Sequence, residues 1–224
     1  MQRRRAIRSS PPPRKCLGVR ATCSYPSRGM RAMPLLVCLE PACSQICRVK
    51  ELTSIIEDAT SAIDRTYWRL PVDGGDPIYR ERVYSYELYH QMRKRWPEHC
   101  PWVLNGEVDK SGHPLLLPLG ADGTIPDLLV HRPGSMAGNH AIIEVKPVTA
   151  RPNRLLDDIK KLCVYRSKVR YQRAILLVYG DGADTCARNL CGGADQHPAI
   201  ELWAHHALSQ PARCVGIIGG IGVD

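Results

Sequence analysis

Two carboxylates and a lysine stand out in the middle of this chain: Asp127 after Pro126, and Glu144-Val145-Lys146 seventeen residues later. Hard divalent cations such as Mg²⁺ take oxygen ligands and keep waters for chemistry, so a carboxylate pair is a natural site for one. Such an ion polarises a phosphate and acidifies a bound water. A neighbouring ammonium orients the nucleophile and stabilises charge that develops in the transition state. Together these are the requirements of phosphodiester hydrolysis.

The three side chains must meet, and strand geometry tests whether they can. Alternation puts Glu144 and Lys146 on one face of a strand and Val145 on the other. Apolar segments at Ile125–His131 and His140–Lys146 flank the turn Arg132–Asn139, and are expected to pair as an antiparallel hairpin. If His131 faces His140, Asp127 falls opposite Glu144. A slip of one residue would separate them. Asp109 could join from the strand before, read as Val103-Leu104 running into Glu107-Val108-Asp109. Lys110 and His113 on the following loop could face a phosphate, or all three could be solvated turn residues.

The surrounding elements follow from periodicity. Val49, Leu52, Ile55, Ile56, Ala59 and Ile63 recur at helical spacing, which predicts an amphipathic helix over Val49–Arg65. Asp73-Gly-Gly-Asp-Pro77 reads as a loop. A second helix is expected over Glu81–Arg95, with Val83, Tyr86, Leu88, Tyr89 and Met92 inward. A third spans Asn153–Ser167, with Leu155, Leu156, Ile159, Leu162 and Cys163 on one face. The apolar run Arg173–Tyr179 has the pattern of a strand covered on both sides. A short helix near Asp184–Leu190 and strands at Ile200–His205 and Cys214–Ile218 complete an α/β chain.

The order of helix, three strands carrying Asp then Glu-x-Lys, helix and strand resembles the PD-(D/E)xK nuclease superfamily over about Arg82–Tyr179. Tyr84–Arg93 and Leu104–Lys110 also look like uncharacterised bacterial proteins of that group. The resemblance implies a restriction-endonuclease-like core (αβββαβ), here with an extra N-terminal helix. It implies that Asp127, Glu144 and the Val145 carbonyl bind Mg²⁺, with Mn²⁺ as a substitute, and that Lys146 positions water. Glu87, in Tyr86-Glu87-Leu88, matches the acid often supplied by the first helix. The expected activity is a metal-dependent nuclease acting on nucleic acid, DNA ahead of RNA. No separate recognition domain is evident, so a homodimer or partner protein would supply specificity. The rival reading is a catalytically silent binding or interaction module on the same fold, because fold does not fix function.

Charge divides the 224 residues unevenly. The net charge of +9 comes from residues 1–50, where eleven Lys or Arg face one acid, Glu40; the rest is close to neutral. Residues 1–45, rich in Arg, Pro and Ser, are expected to be a disordered basic tail ahead of a nuclease-like domain at 46–224. A transit peptide, a zinc site from Cys38, Cys43 and Cys47, or a later start at Met30 or Met33 are the competing readings of that segment. No apolar run is long enough to span a membrane, and no secretory signal is recognisable, so the ten cysteines are read as reduced thiols of a cytoplasmic protein. Arg154, Lys160, Lys161, Arg166, Lys168 and Arg170 make the third helix and its exit basic, a face that could touch phosphate. Tyr165 and Tyr171 are read as packing residues. His205 and His206 are adjacent on a strand and so face opposite ways, which argues against shared metal ligation. Cys186 and Cys191 lack partners at zinc spacing.

Overall fold

The computed structural model describes residues 43–190 and 198–219, and the Arg/Pro-rich segment before Cys43 lies outside them, as does Cys191. The chain begins with α1 (Cys43–Ser61), followed by the single turn α2 (Arg65–Trp68). Leu52, Ile55, Ile56 and Ala59 are buried at the expected helical spacing. The helix itself starts earlier than its apolar pattern, since Cys43 to Gln45 are already helical. Thr60 closes it by donating to the Ile56 carbonyl, and Ile63 packs just beyond.

The stretch read as a loop is instead a small antiparallel ribbon, β1 (Leu70–Val72) with β2 (Gly75–Ile78). Gly74 at φ +69° makes the turn between them. The next helix, α3 (Glu81–Lys94), buries Leu88 and Met92 as expected, with Tyr89 packed against the core, but turns Tyr86 outward and Tyr84 inward. Tyr84, Leu88 and Met92 point inward at i, i+4, i+8, while Tyr86 is 54% exposed.

A mixed six-stranded sheet forms the centre: β3 (Val103–Gly106), β4 (Leu128–His131), β5 (Asn139–Pro147), β6 (Arg173–Tyr179), β7 (Ile200–His205) and β8 (Arg213–Ile218), neighbours in that order. The first three are antiparallel, β5, β6 and β7 are parallel, and β8 turns back. Parallel pairing needs crossover connections, supplied by α4 (Pro152–Ser167) and α5 (Ala183–Asn189).

Alternation along the strands divides the interior in two. Ala141, Ile143 and Val145 of β5 join Leu104, Leu128, Ile175 and Leu177 in the core beneath α1 and α3. Ile142 joins Leu129, Ala174 and Leu176 beneath α4, whose inner face is Leu155, Ile159, Leu162 and Tyr165. Leu156, expected inside, is half exposed, because it lies one position off that stripe. All described residues belong to the unit Pro41–Asp224. Among them no helix is long and apolar enough to cross a membrane.

Candidate active site

The hairpin of β4 and β5 sets the geometry. Leu128 pairs with Ile143, Leu129 with Ile142 and Val130 with Ala141. Asp127 is one residue beyond this ladder, opposite Glu144. The expected pairing of His131 with His140 does not form. His131 faces Asn139, and the register shifts by one residue at that point, with His140 as the extra residue of a bulge. The ladder beyond the bulge therefore keeps the register that brings Asp127 to Glu144.

Strand β4 stops at Leu128, so the edge of β5 past Ile143 is uncovered by backbone. The Asp127 carboxylate caps it: Oδ2 accepts from the Val145 N–H at 2.7 Å. The N–H and carbonyl of one strand residue point to the same side, so the Val145 carbonyl emerges beside Asp127. It accepts from Lys146 Nζ at 3.1 Å.

Four elements converge on this point. Lys146 Nζ lies 2.9 Å from Glu81 Oε1, 3.1 Å from Asp158 Oδ2 and 3.9 Å from Asp127 Oδ2. Lys161 Nζ lies 2.8 Å from Glu144 Oε2 and 3.3 Å from Asp158 Oδ1. The lysine pair thus threads between four carboxylates. A cleft of about 450 Å³ opens over them, with Arg82, Glu107, Arg154 and Asp157 at its rim. Its lining carries six carboxylates against four cations, so it is net acidic despite the basic composition of the chain.

Burial governs the protonation of these groups. Desolvation pushes the Asp127 carboxyl up, against the pull of Lys146 and the Val145 N–H. Glu144 is raised well above the carboxylate range, first by burial and then by repulsion from Asp127, with Lys161 only partly offsetting this. Burial opposes the charge on Lys146, yet Asp127, Asp158 and Glu81 outweigh it and the ammonium is held more firmly than usual. Lys161 is raised in the same way, with burial overcome chiefly by Glu144.

No family of known proteins, no curated protein and no solved structure matches the chain.

Asp127, Glu144 and Lys146 are brought together, as expected. Glu87 is not at the cleft: it is buried on another face of α3, accepting from Gln91 Nε2 at 2.6 Å. The helix acid that reaches the site is Glu81, six residues earlier in the first turn. Asp109 is also elsewhere. The third strand ends at Gly106, Glu107 turns the backbone at φ 44°, and the exposed Asp109 carboxylate accepts from the N–H and hydroxyl of Ser111. Asp158 was missed by sequence reading. Its signal was available: it lies three residues after Leu155 and four before Leu162, on the inner stripe of the helix, with Lys161 three residues further on. Tyr165 and Tyr171 are buried, as packing residues should be, and His205 is buried against Tyr84 while His206 faces Asp184.

Among the described residues, no three or more His, Cys, Asp or Glu side chains are disposed to hold a metal ion. The donor set expected from the motif needs only two, with a carbonyl. Glu144 Oε1 is fully buried and has no hydrogen-bond partner, which leaves an unsatisfied acceptor at the floor of the cleft. Two carboxylates and a backbone carbonyl are hard oxygen donors of the kind Mg²⁺ prefers. The donor chemistry fits such an ion.

Proposed function

We propose that this protein is a metal-dependent nuclease that hydrolyses phosphodiester bonds of nucleic acid, with DNA the preferred substrate. The observation that carries the reading is the meeting of Asp127, Glu144 and Lys146 in a net-acidic cleft. A polyanion has no reason to enter such a cleft unless a cation neutralises it. The succession α3, β3, β4, β5, α4, β6 supports the restriction-endonuclease-like core that the motif implies.

Asp127, Glu144 and the Val145 carbonyl would hold Mg²⁺, or Mn²⁺ in its place. When bound, the ion supplies charge that offsets the phosphate and lowers the pKa of water. Lys146 stays an ammonium, so it donates hydrogen bonds and orients the attacking water rather than abstracting its proton. Lys161, held between Glu144 and Asp158, is free to turn its charge toward a phosphate oxygen once Glu144 has another partner. Arg82 and Arg154 at the rim are placed to hold flanking phosphates. Attack by water forms one P–O bond, the ester P–O bond breaks, and the leaving oxygen takes up a proton.

The test is cleavage of supercoiled plasmid and of single-stranded DNA with Mg²⁺ or Mn²⁺, beside Lys146→Ala protein shown to be folded. Cutting that requires the metal and is lost in the variant is the expected result. The Lys161–Glu144 ion pair, which engages a proposed metal ligand, favours one other reading, a silent nucleic-acid-binding module. Folded protein that binds DNA and cuts neither substrate would establish that module instead.

A further inference from the structure

A second cavity, about 340 Å³, lies away from the acidic cleft, where the loop after β3, the β4–β5 turn and the end of α4 come together. It opens near Asn139 at the start of β5, and Glu144 is five residues along that strand. At about 3.3 Å per residue the two sites are roughly 16 Å apart.

The chemistry of the two cavities is opposite. Lys110, Arg132, His113 and His131 line the second one, and no Asp or Glu is among the described residues that do so. Neither Lys110 nor Arg132 makes a side-chain ion pair or hydrogen bond among the described residues. Lys110 is half-buried, and that burial pulls its ammonium down. An unpaired, partly desolvated cation gains more from an incoming anion than a solvated one does. The cavity is also built rather than incidental. Asn139 Nδ2 donates to the Val169 carbonyl at 2.9 Å, and Tyr165 is tied by a hydroxyl–hydroxyl hydrogen bond to Thr124. The opposite wall is apolar, with Leu116, Met136, Val169 and the ring of Tyr171. The Tyr171 hydroxyl has no partner among the described residues.

We propose that this cavity is a binding site for a nucleoside monophosphate unit, the phosphate held by Lys110 and Arg132 and the base or sugar laid on the apolar wall. The unit could be a free nucleotide or part of a nucleic-acid strand. The cations select the phosphate, and the Leu116–Met136–Val169–Tyr171 wall accounts for the rest of the volume. The inference stands on the cavity's own residues and does not need the acidic cleft to cut anything.

The test uses the full chain in EDTA, so that a metal-dependent cleft contributes nothing. Adenosine 5′-monophosphate, adenosine and a short single-stranded oligonucleotide are titrated by calorimetry. The expected result is saturable binding of the monophosphate or the oligonucleotide, with adenosine at least tenfold weaker. Tighter binding of the monophosphate marks a free-nucleotide site, and tighter binding of the oligonucleotide marks a strand contact. Lys110→Glu and Arg132→Glu should each weaken binding tenfold or more, while Glu144→Gln leaves it unchanged. Arg132 is exposed on the turn, so its variant keeps the fold. No binding of either phosphate ligand, binding unaffected by both charge reversals, or adenosine binding as tightly as its monophosphate would overturn the proposal.

Discussion

Replacing Lys146 by Met should destabilise the protein in a way that depends strongly on pH. The lysine side chain is only 7% exposed and is the shared partner of Glu81, Asp127 and Asp158. Removing one member of a buried ion pair costs about 3–5 kcal/mol, because the remaining charge is stranded. For a domain of this size each kcal/mol lowers the melting temperature by about 2–4 °C, so a drop of roughly 6–20 °C is expected at neutral pH. Burial already raises Asp127, and losing the ammonium raises it further. A carboxyl whose folded pKa lies above its unfolded value loses stability as pH rises from the unfolded pKa through the folded one. The deficit should therefore be small near pH 4 and complete by pH 8. Thermal melts of both proteins across that range, in EDTA, provide the assay. Adding Mn²⁺ should recover part of the loss, since the cation replaces the missing positive charge. A deficit of equal size at pH 4 and pH 8, or none at all, would refute the argument that this lysine is held by charge.

Three further outcomes are expected. Glu144→Gln should abolish metal-dependent cleavage yet melt progressively higher than the parent in EDTA as pH rises from 5 to 8, because the Gln escapes the cost of ionising a carboxyl that burial holds well above its usual range. His205, lowered from 6.5 to about 4 by burial, contributes stability that is present above pH 6.5 and lost as pH falls toward 4, by roughly 3 kcal/mol; Tyr84→Phe removes its 2.7 Å partner and should cost about 1–3 kcal/mol in a denaturant titration at pH 7. Gly180→Ala should lower the melting temperature, since φ is +117° there and a Cβ would sit 2.8 Å from Val148 Cγ2, with a cost of about 1–3 kcal/mol.

The parts of the fold that could be read from sequence are those where burial and local pattern agree. Strand β6 is a continuous apolar run and was found from Arg173 to Tyr179; α4 was displaced by a single residue at its start. The Asp127–Glu144 meeting followed from counting back along a hairpin, and survived although the pairing nearest the turn is bulged. Failures occurred where a residue type is ambiguous. Tyrosine can cover a core or lie on a surface, so in α3 the buried Leu88 and Met92 are legible while Tyr84 and Tyr86 exchange places with expectation. Glu87 was expected from the motif resemblance alone, and the acid that reaches the site is Glu81. The β1–β2 ribbon was hidden because its turn residues, Asp73-Gly74-Gly75, dominate a segment with few apolar positions. Asp158 shares the inner stripe of Leu155 and Leu162, a local signal masked by the many other charges of that helix.

All nine residues of β5 are buried, and three of the site's groups belong to it. The strand that carries the proposed metal ligands also borders both cores, so a substitution along it is expected to perturb folding together with the proposed site. The rim segments around Arg82, Glu107, Arg154 and Asp157 are exposed and carry no such double duty. Divergence in what this site recognises would accumulate in those segments, around a strand that stays fixed.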